Sequence, residues 1–137
     1  MTTFLEKPVL SGVAADKARS WLLVPASKPE LFTPAAESAV DAVILDIEDA
    51  VAPGAKPAAR DAVVSWLRAG GRAWVRINDA TTPYWADDLD ALRGIDTLEG
   101  VMLAKTESGS QVEATADRLA GRPEAGRDVA GRPEAGR

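Results

Sequence analysis

Three acidic residues crowd into four positions of Leu45-Asp-Ile-Glu-Asp-Ala-Val51, namely Asp46, Glu48 and Asp49. Carboxylates this close repel one another, so they need a cation or hydrogen-bond donors beside them. A structural reading pairs them with Lys56 and Arg60, or uses one as a helix cap. A functional reading makes them the carboxylates of a site. Arg76 poses the same choice in Trp74-Val-Arg-Ile-Asn78. A guanidinium in an apolar run is costly to desolvate unless it meets an anion, and its planar fork grips a carboxylate or phosphate through two parallel hydrogen bonds. Its structural partner would be Asp46 or Glu48. Both roles are compatible, because a carboxylate that orients an arginine leaves it able to bind substrate. Lys105, with Glu107 two residues on, suits an anion or plain solvation equally. Lys28, in Pro25-Ala-Ser-Lys-Pro29, sits where a helix start would meet a phosphate, although an exposed lysine is usually just solvated. Asp87, Asp88 and Asp90 read as a solvated helix N-terminus that complements its dipole, and the tryptophans read as packing.

Composition narrows the chemistry further. The 137 residues contain no histidine and no cysteine. That removes disulfides, Cys/His zinc sites, thiol nucleophiles and every Ser-His-Asp arrangement. Catalysis is left to carboxylates, Lys, Arg, Tyr, hydroxyls or a metal held by oxygen ligands. A net charge of -5 argues against nucleic acid as a partner. No apolar run approaches the roughly 20 residues of a membrane span. Met1–Lys17 lacks a continuous apolar signal core, so the expected address is cytoplasmic. No G-x-G-x-x-G, Walker A or EF-hand pattern occurs.

Four apolar runs must position these residues: Ser20–Val24, Asp41–Ile47, Ala73–Ile77 and Gly100–Ala104. Their centres at Leu23, Leu45, Val75 and Met102 lie 22, 30 and 27 residues apart. Such gaps are too long for hairpins and suit βα repeats with buried parallel strands. Strand alternation puts Ile44, Asp46 and Glu48 on one face, and Trp74, Arg76 and Asn78 together on one face of the next strand. Between the runs, Pro29 opens a helix burying Leu31, Phe32, Ala35 and Ala39. Pro57 opens a second with Ala59, Val63, Trp66 and Leu67 in one stripe, stopped by Gly70-Gly71. Ala86, Leu89 and Leu92 mark a third, and Ser110 caps a fourth carrying Val112, Ala116 and Leu119. The fold class is α/β, with about four (βα) units of the TIM-barrel type over residues 1–119. An eight-stranded barrel takes about 250 residues, so four units make a half barrel with two open edges and an uncovered inner face. In residues 120–137 the stretch Ala-Gly-Arg-Pro-Glu-Ala-Gly-Arg occurs twice, with nothing to bury; disorder is expected there.

Taken in order, Ser20–Glu30, Asp41-Ala-Val-Ile-Leu-Asp-Ile-Glu-Asp-Ala-Val51, Lys56-Pro-Ala-Ala-Arg60, Val75-Arg-Ile-Asn78 and Met102–Ser108 resemble the citrate lyase beta subunit-like, or HpcH/HpaI aldolase, family. The resemblance covers about residues 18–119. It implies a βα barrel, commonly trimeric, that cleaves or forms a carbon–carbon bond in a CoA thioester such as citryl-CoA or malyl-CoA. It also implies Mg2+ bound to an α-keto acid and acting as a Lewis acid. Arg76 is then the arginine that grips the substrate carboxylate, and Glu48 and Asp49 are the acidic pair beside the metal. Lys28 stands where many members place an arginine against CoA phosphate. The implied direct metal ligands, a glutamate and an aspartate, lie on the fifth and sixth barrel strands, beyond the four read here. Smaller departures are Ala26 for a frequent glycine and Ala104 for a frequent proline. Length keeps another reading open: an inactive half barrel, or a non-catalytic module that associates through its open edges.

Overall fold

The computed structural model describes the backbone of residues 3–6 and the whole of residues 13–121. Its centre is a sheet of β1 (Thr3–Glu6), β2 (Trp21–Pro25), β3 (Ala42–Asp46), β4 (Ala73–Ile77) and β5 (Leu98–Leu103), in the spatial order β1-β5-β4-β3-β2. The helices are α1 (Phe32–Ala36), α2 (Lys56–Arg68), α3 (Tyr84–Leu92) and α4 (Gly109–Ala120). Strands β2 to β5 pair in parallel and in chain order, so the four βα repeats are present. The four apolar runs expected as strands are these four, with ends shifted by a residue or two.

The sheet's two faces follow from register. Leu23 lies beside Ile44, Asp46 beside Arg76 and Arg76 beside Met102. Those residues therefore share one face, while Val43, Leu45, Val75, Val101 and Leu103 share the other. The second face carries the main core, where Phe32, Val63, Leu67, Leu89 and Leu92 from the helices pack against the strands. Every residue of β3 is buried, as expected of an inner strand in a parallel sheet. The α2 stripe explains its own position. Ala59, Val63 and Leu67 recur at helical spacing and are buried, and each Val or Leu contributes about 1.5–3 kcal/mol. Trp66 half-buries beside them, its indole nitrogen donating to Thr33 Oγ1 at 3.1 Å. Gly71 is required under that ring, because a Cβ there would meet Trp66 ring atoms at 2.4–2.5 Å.

Several expectations need correction. One of the two edges expected to be open is covered, since β1 pairs antiparallel along β5 from Thr3–Leu103 to Glu6–Gly100. The inner face is not bare either: Ala42, Ile44, Trp74 and Met102 are buried there with Ala15, Ala18 and Trp21 packed on them. The helix after Pro29 is a 3-10 turn followed by the five residues of α1. It buries Phe32 and Ala35 but leaves Leu31 and Ala39 exposed. Ser38 Oγ donates to the Ala35 carbonyl at 2.6 Å, a local bond that competes with helix continuation. Ser108, not Ser110, caps α4 by accepting from the Gln111 amide. Val112, Ala116 and Leu119 are half-buried, and α4 runs to Ala120 before Gly121 closes it in the left-handed region at φ 77°. The duplicated stretch beyond Gly121 lies outside the described residues.

Candidate functional site

The charged residues meet at the C-terminal ends of β3, β4 and β5, where parallel α/β sheets place their sites. Asp46, the last residue of β3, is fully buried. Arg76 Nε donates to its Oδ1 at 3.0 Å and Arg76 Nη2 to its Oδ2 at 2.6 Å. This is the parallel fork of the sequence reading with its structural partner in place. The Asp46 carboxylate also accepts the Glu48 amide at 2.9 Å and the Ala50 amide at 3.3 Å, which bends the chain after β3 into a tight turn. Arg76 therefore holds its guanidinium charge above even the usual range, first through the Asp46 hydrogen bonds and against the opposing effect of burial.

Only two of the guanidinium nitrogens serve Asp46. Nη1 donates to no described residue, and the side chain keeps 21% of its surface open. Glu48 Oε1 approaches Nε at 3.8 Å from the side, while Glu48 Oε2 accepts from Lys105 Nζ at 2.7 Å. The same ammonium reaches Asp49 Oδ1 at 3.3 Å. Lys105 just after β5 thus reaches across β4 to the carboxylates that follow β3. Its backbone is in the left-handed region at φ 51°, a conformation that costs a non-glycine residue energy and tends to cluster at functional sites. Asp49 sits below the usual 3.8, first through its hydrogen bond with Glu48 and then through Lys105. The Lys105 ammonium is held above its usual value, first by Glu48 and then by Asp49.

The structural pairing expected of Lys56 and Arg60 does not form. Lys56 Nζ is buried and donates to the Ile47 and Glu48 carbonyls at 3.1 and 2.7 Å, not to any carboxylate. Arg60 faces Asp88 at 3.6 Å instead. Asp88, expected to be solvated, is 1% exposed. Asn78 departs from the strand alternation, because β4 ends at Ile77. Its Nδ2 donates to Asp88 Oδ2 at 2.7 Å and to the Ile47 carbonyl at 3.2 Å. Burial raises the Asp88 carboxyl above its usual value despite the donors from Asn78 and Arg60. The sequence does carry a signal for this burial: Trp85, Asp88, Leu89 and Leu92 follow helical spacing, so Asp88 lies on the stripe that faces the core. Lys28 is exposed at the start of the turn after β2 and makes no ion pair among the described residues. The tryptophans pack, Trp21 on Trp74 and Trp66 on Phe32, both edge to face.

Asp46, Glu48 and Asp49 are thus committed to Arg76 and Lys105. Among the described residues no three Asp, Glu, His or Cys side chains converge in a way that would hold a metal ion. These residues therefore do not by themselves form a shell for Mg2+. They form a cluster of three carboxylates held by two cations, in which Arg76 Nη1 donates to no described residue.

Comparison with known proteins places the chain in a family. The family model described as HpcH/HpaI aldolase/citrate lyase matches residues 19–132. A citrate lyase subunit beta-like protein of Mycobacterium tuberculosis is 48% identical over 98 residues, covering 72% of this chain and 35% of that protein. An L-malyl-CoA/beta-methylmalyl-CoA lyase of Cereibacter sphaeroides is 37% identical over 102 residues, covering 70% and 32%. The chain spans about a third of the length of these relatives. Among solved structures, CitE of M. tuberculosis in complex with magnesium, acetoacetate and coenzyme A is 43% identical with a TM-score of 0.61, covering 73% of this chain and 37% of that one. The M. tuberculosis citrate lyase beta subunit complexed with oxaloacetate and magnesium is 30% identical with a TM-score of 0.59, covering 86% and 68%. The fold is the (βα) barrel type of these structures, present here as four parallel units. With the matched segment taking in the strand ends at Asp46, Arg76 and Lys105, the chain belongs to the HpcH/HpaI aldolase/citrate lyase family.

Proposed function

We propose that this chain carries the substrate-gripping half of a metal-dependent carbon–carbon lyase acting on a CoA thioester of a hydroxy acid, of the citryl-CoA or malyl-CoA kind. The observation that carries the reading is Arg76 held edge-on by buried Asp46 with Nη1 donating to no described residue. A guanidinium fixed by one carboxylate is preorganised for a second, so little ordering remains to be done when an α-keto acid arrives. Arg76 binds that substrate carboxylate. Glu48 and Asp49, tied by Lys105, form the acidic wall opposite it. Lys28, exposed beside the C-terminal end of β2, takes a CoA phosphate. Mg2+ enters as a family expectation, supported by the magnesium complexes of the M. tuberculosis structures, with its direct ligands outside the described residues.

A second reading, a non-catalytic module that docks through its sheet edge, draws on β2. No strand flanks it on the far side from β3 among the described residues, and Leu22 and Leu23 are 37% and 45% exposed. Calorimetric titration of the chain with oxaloacetate, with and without Mg2+, separates the two. The lyase reading expects saturable oxaloacetate binding that Arg76→Ala abolishes, with Mg2+ adding little because its direct ligands lie outside the described residues. Absence of oxaloacetate binding by the folded chain at any Mg2+ concentration favours the docking module.

A further inference from the structure

The carboxylates that follow β3 sit on a backbone that is clamped from beneath. The Ile47 amide donates to the Arg76 carbonyl at 3.1 Å, which extends the β3–β4 pairing one step past the strand. The Ile47 carbonyl accepts from two side chains, Lys56 Nζ of α2 at 3.1 Å and Asn78 Nδ2 at 3.2 Å. The Glu48 carbonyl accepts the same lysine at 2.7 Å and the Val51 amide at 3.2 Å. Behind Asn78 stands Asp88 of α3. One of its oxygens, Oδ2, accepts both the Asn78 amide at 3.1 Å and Asn78 Nδ2 at 2.7 Å, and Oδ1 faces Arg60 at 3.6 Å.

Two buried charged groups in one helix layer are expensive unless something requires them. An apolar residue at position 88 would continue the α3 stripe of Leu89 and Leu92 at no such cost. What an apolar residue would not do is fix the Asn78 amide. With both of its oriented contacts taken, Asn78 can only present Nδ2 toward Ile47, and the Ile47–Glu48 peptide is held in one orientation. That peptide sets where Glu48 meets Arg76 and Lys105.

We propose that Asp88 is a positioning residue for the Glu48 and Asp49 carboxylates, acting through Asn78 and the Ile47 carbonyl; this rests on the assignment of those carboxylates to the substrate site. Asp88 touches no substrate. Its role is to prevent the turn after β3 from adopting a second peptide orientation. The neutral isostere keeps an acceptor for Asn78, and burial already disfavours the charge at this position. The hydrogen bonds, not the charge, are therefore what the clamp uses.

The test compares Asp88→Leu with Asp88→Asn in the full chain by two readouts. The first is the backbone amide NMR signals of Glu48 and Asp49, which need no ligand. Asp88→Leu shifts or broadens both while leaving those of Val63 and Leu67 in place, and Asp88→Asn restores the original positions. The second is calorimetry with oxaloacetate and Mg2+, in which Asp88→Leu weakens affinity about tenfold and Asp88→Asn stays near the parent, in line with the usual effect of residues that orient a site from behind. If Asp88→Leu does not fold, Asn78→Ser replaces it, since a serine hydroxyl is too short to join Asp88 and Ile47 and should give the same two changes. Unshifted Glu48 and Asp49 signals in a folded Asp88→Leu or Asn78→Ser chain overturn the proposal, as does an Asp88→Asn chain that behaves like Asp88→Leu. If the parent binds no oxaloacetate, the lyase reading falls while the NMR arm still decides the clamp.

Discussion

The two faces of the sheet solve the same burial problem by different means. On the helix side, Leu45, Val75, Val101 and Leu103 join one apolar cluster with the helices, and the buried charges Lys56 and Asp88 stand only past the strand ends. On the inner side, four buried residues share the surface with a fully buried carboxylate and the arginine that neutralises it. The apolar face is set by volume and tolerates chemistry of any kind that fills it. The inner face is set by charge pairing at one end, where removing either partner strands the other. A parallel sheet can hold charge only where its strands end, because there the backbone amides of the following turn and the solvent share the load, as the Glu48 and Ala50 amides do for Asp46.

That contrast can be broken by mutation. Leu67→Ala on the helix side, a fully buried position, should lower stability by about 3 kcal/mol in urea denaturation without changing ligand binding. Asp46→Ala should cost somewhat less, about 2–3 kcal/mol, because Arg76 is part-exposed and can turn to solvent; the same variant should lose oxaloacetate binding outright. Met102→Ala on the inner face should cost about 2 kcal/mol, the low end for such a truncation, since Met102 stays 7% exposed where Leu67 is fully buried. Should Met102→Ala cost more than Leu67→Ala, the inner face is a primary core and the contrast fails.

Acid titration sharpens the same point with smaller effects. Asp90 is held below 3.8, first by the Arg118 hydrogen bond, so its contribution is complete above that value and is lost as pH falls through the lower folded pKa. Asp90→Asn should flatten that part of the stability curve by under about 1 kcal/mol, since the pair is exposed. Asp88 has the opposite sign. Its folded pKa is raised by burial, so stability declines as pH climbs from 3.8 through the raised value, and Asp88→Asn should remove that decline.

The βα order was legible because apolar runs and their spacing carry it, and alternation offered Arg76 either Asp46 or Glu48, of which Asp46 takes the fork. The reach of Lys105 to Glu48 was not legible, because it depends on a left-handed residue after β5 that no pattern marks. Asp88 and Lys56 were misjudged for another reason. Charge alone suggests a solvated Asp88 and a carboxylate partner for Lys56, whereas both spend their charge on buried partners, Asn78 and the Ile47 and Glu48 carbonyls. The strand β1 gave no signal because an antiparallel edge partner needs neither helix nor spacing to reach its place.

In the proposed site Arg76 stays on Asp46 while its Nη1 edge, unpaired among the described residues, meets an α-keto acid. Side-chain 15N NMR of the arginines during an oxaloacetate titration with Mg2+ tests it directly. The account predicts that the Arg76 Nε–H signal holds its position and its Nη protons slow in exchange as oxaloacetate binds. An Nε–H signal that moves to a solvent-like position, or Arg76 signals indifferent to oxaloacetate, would contradict it.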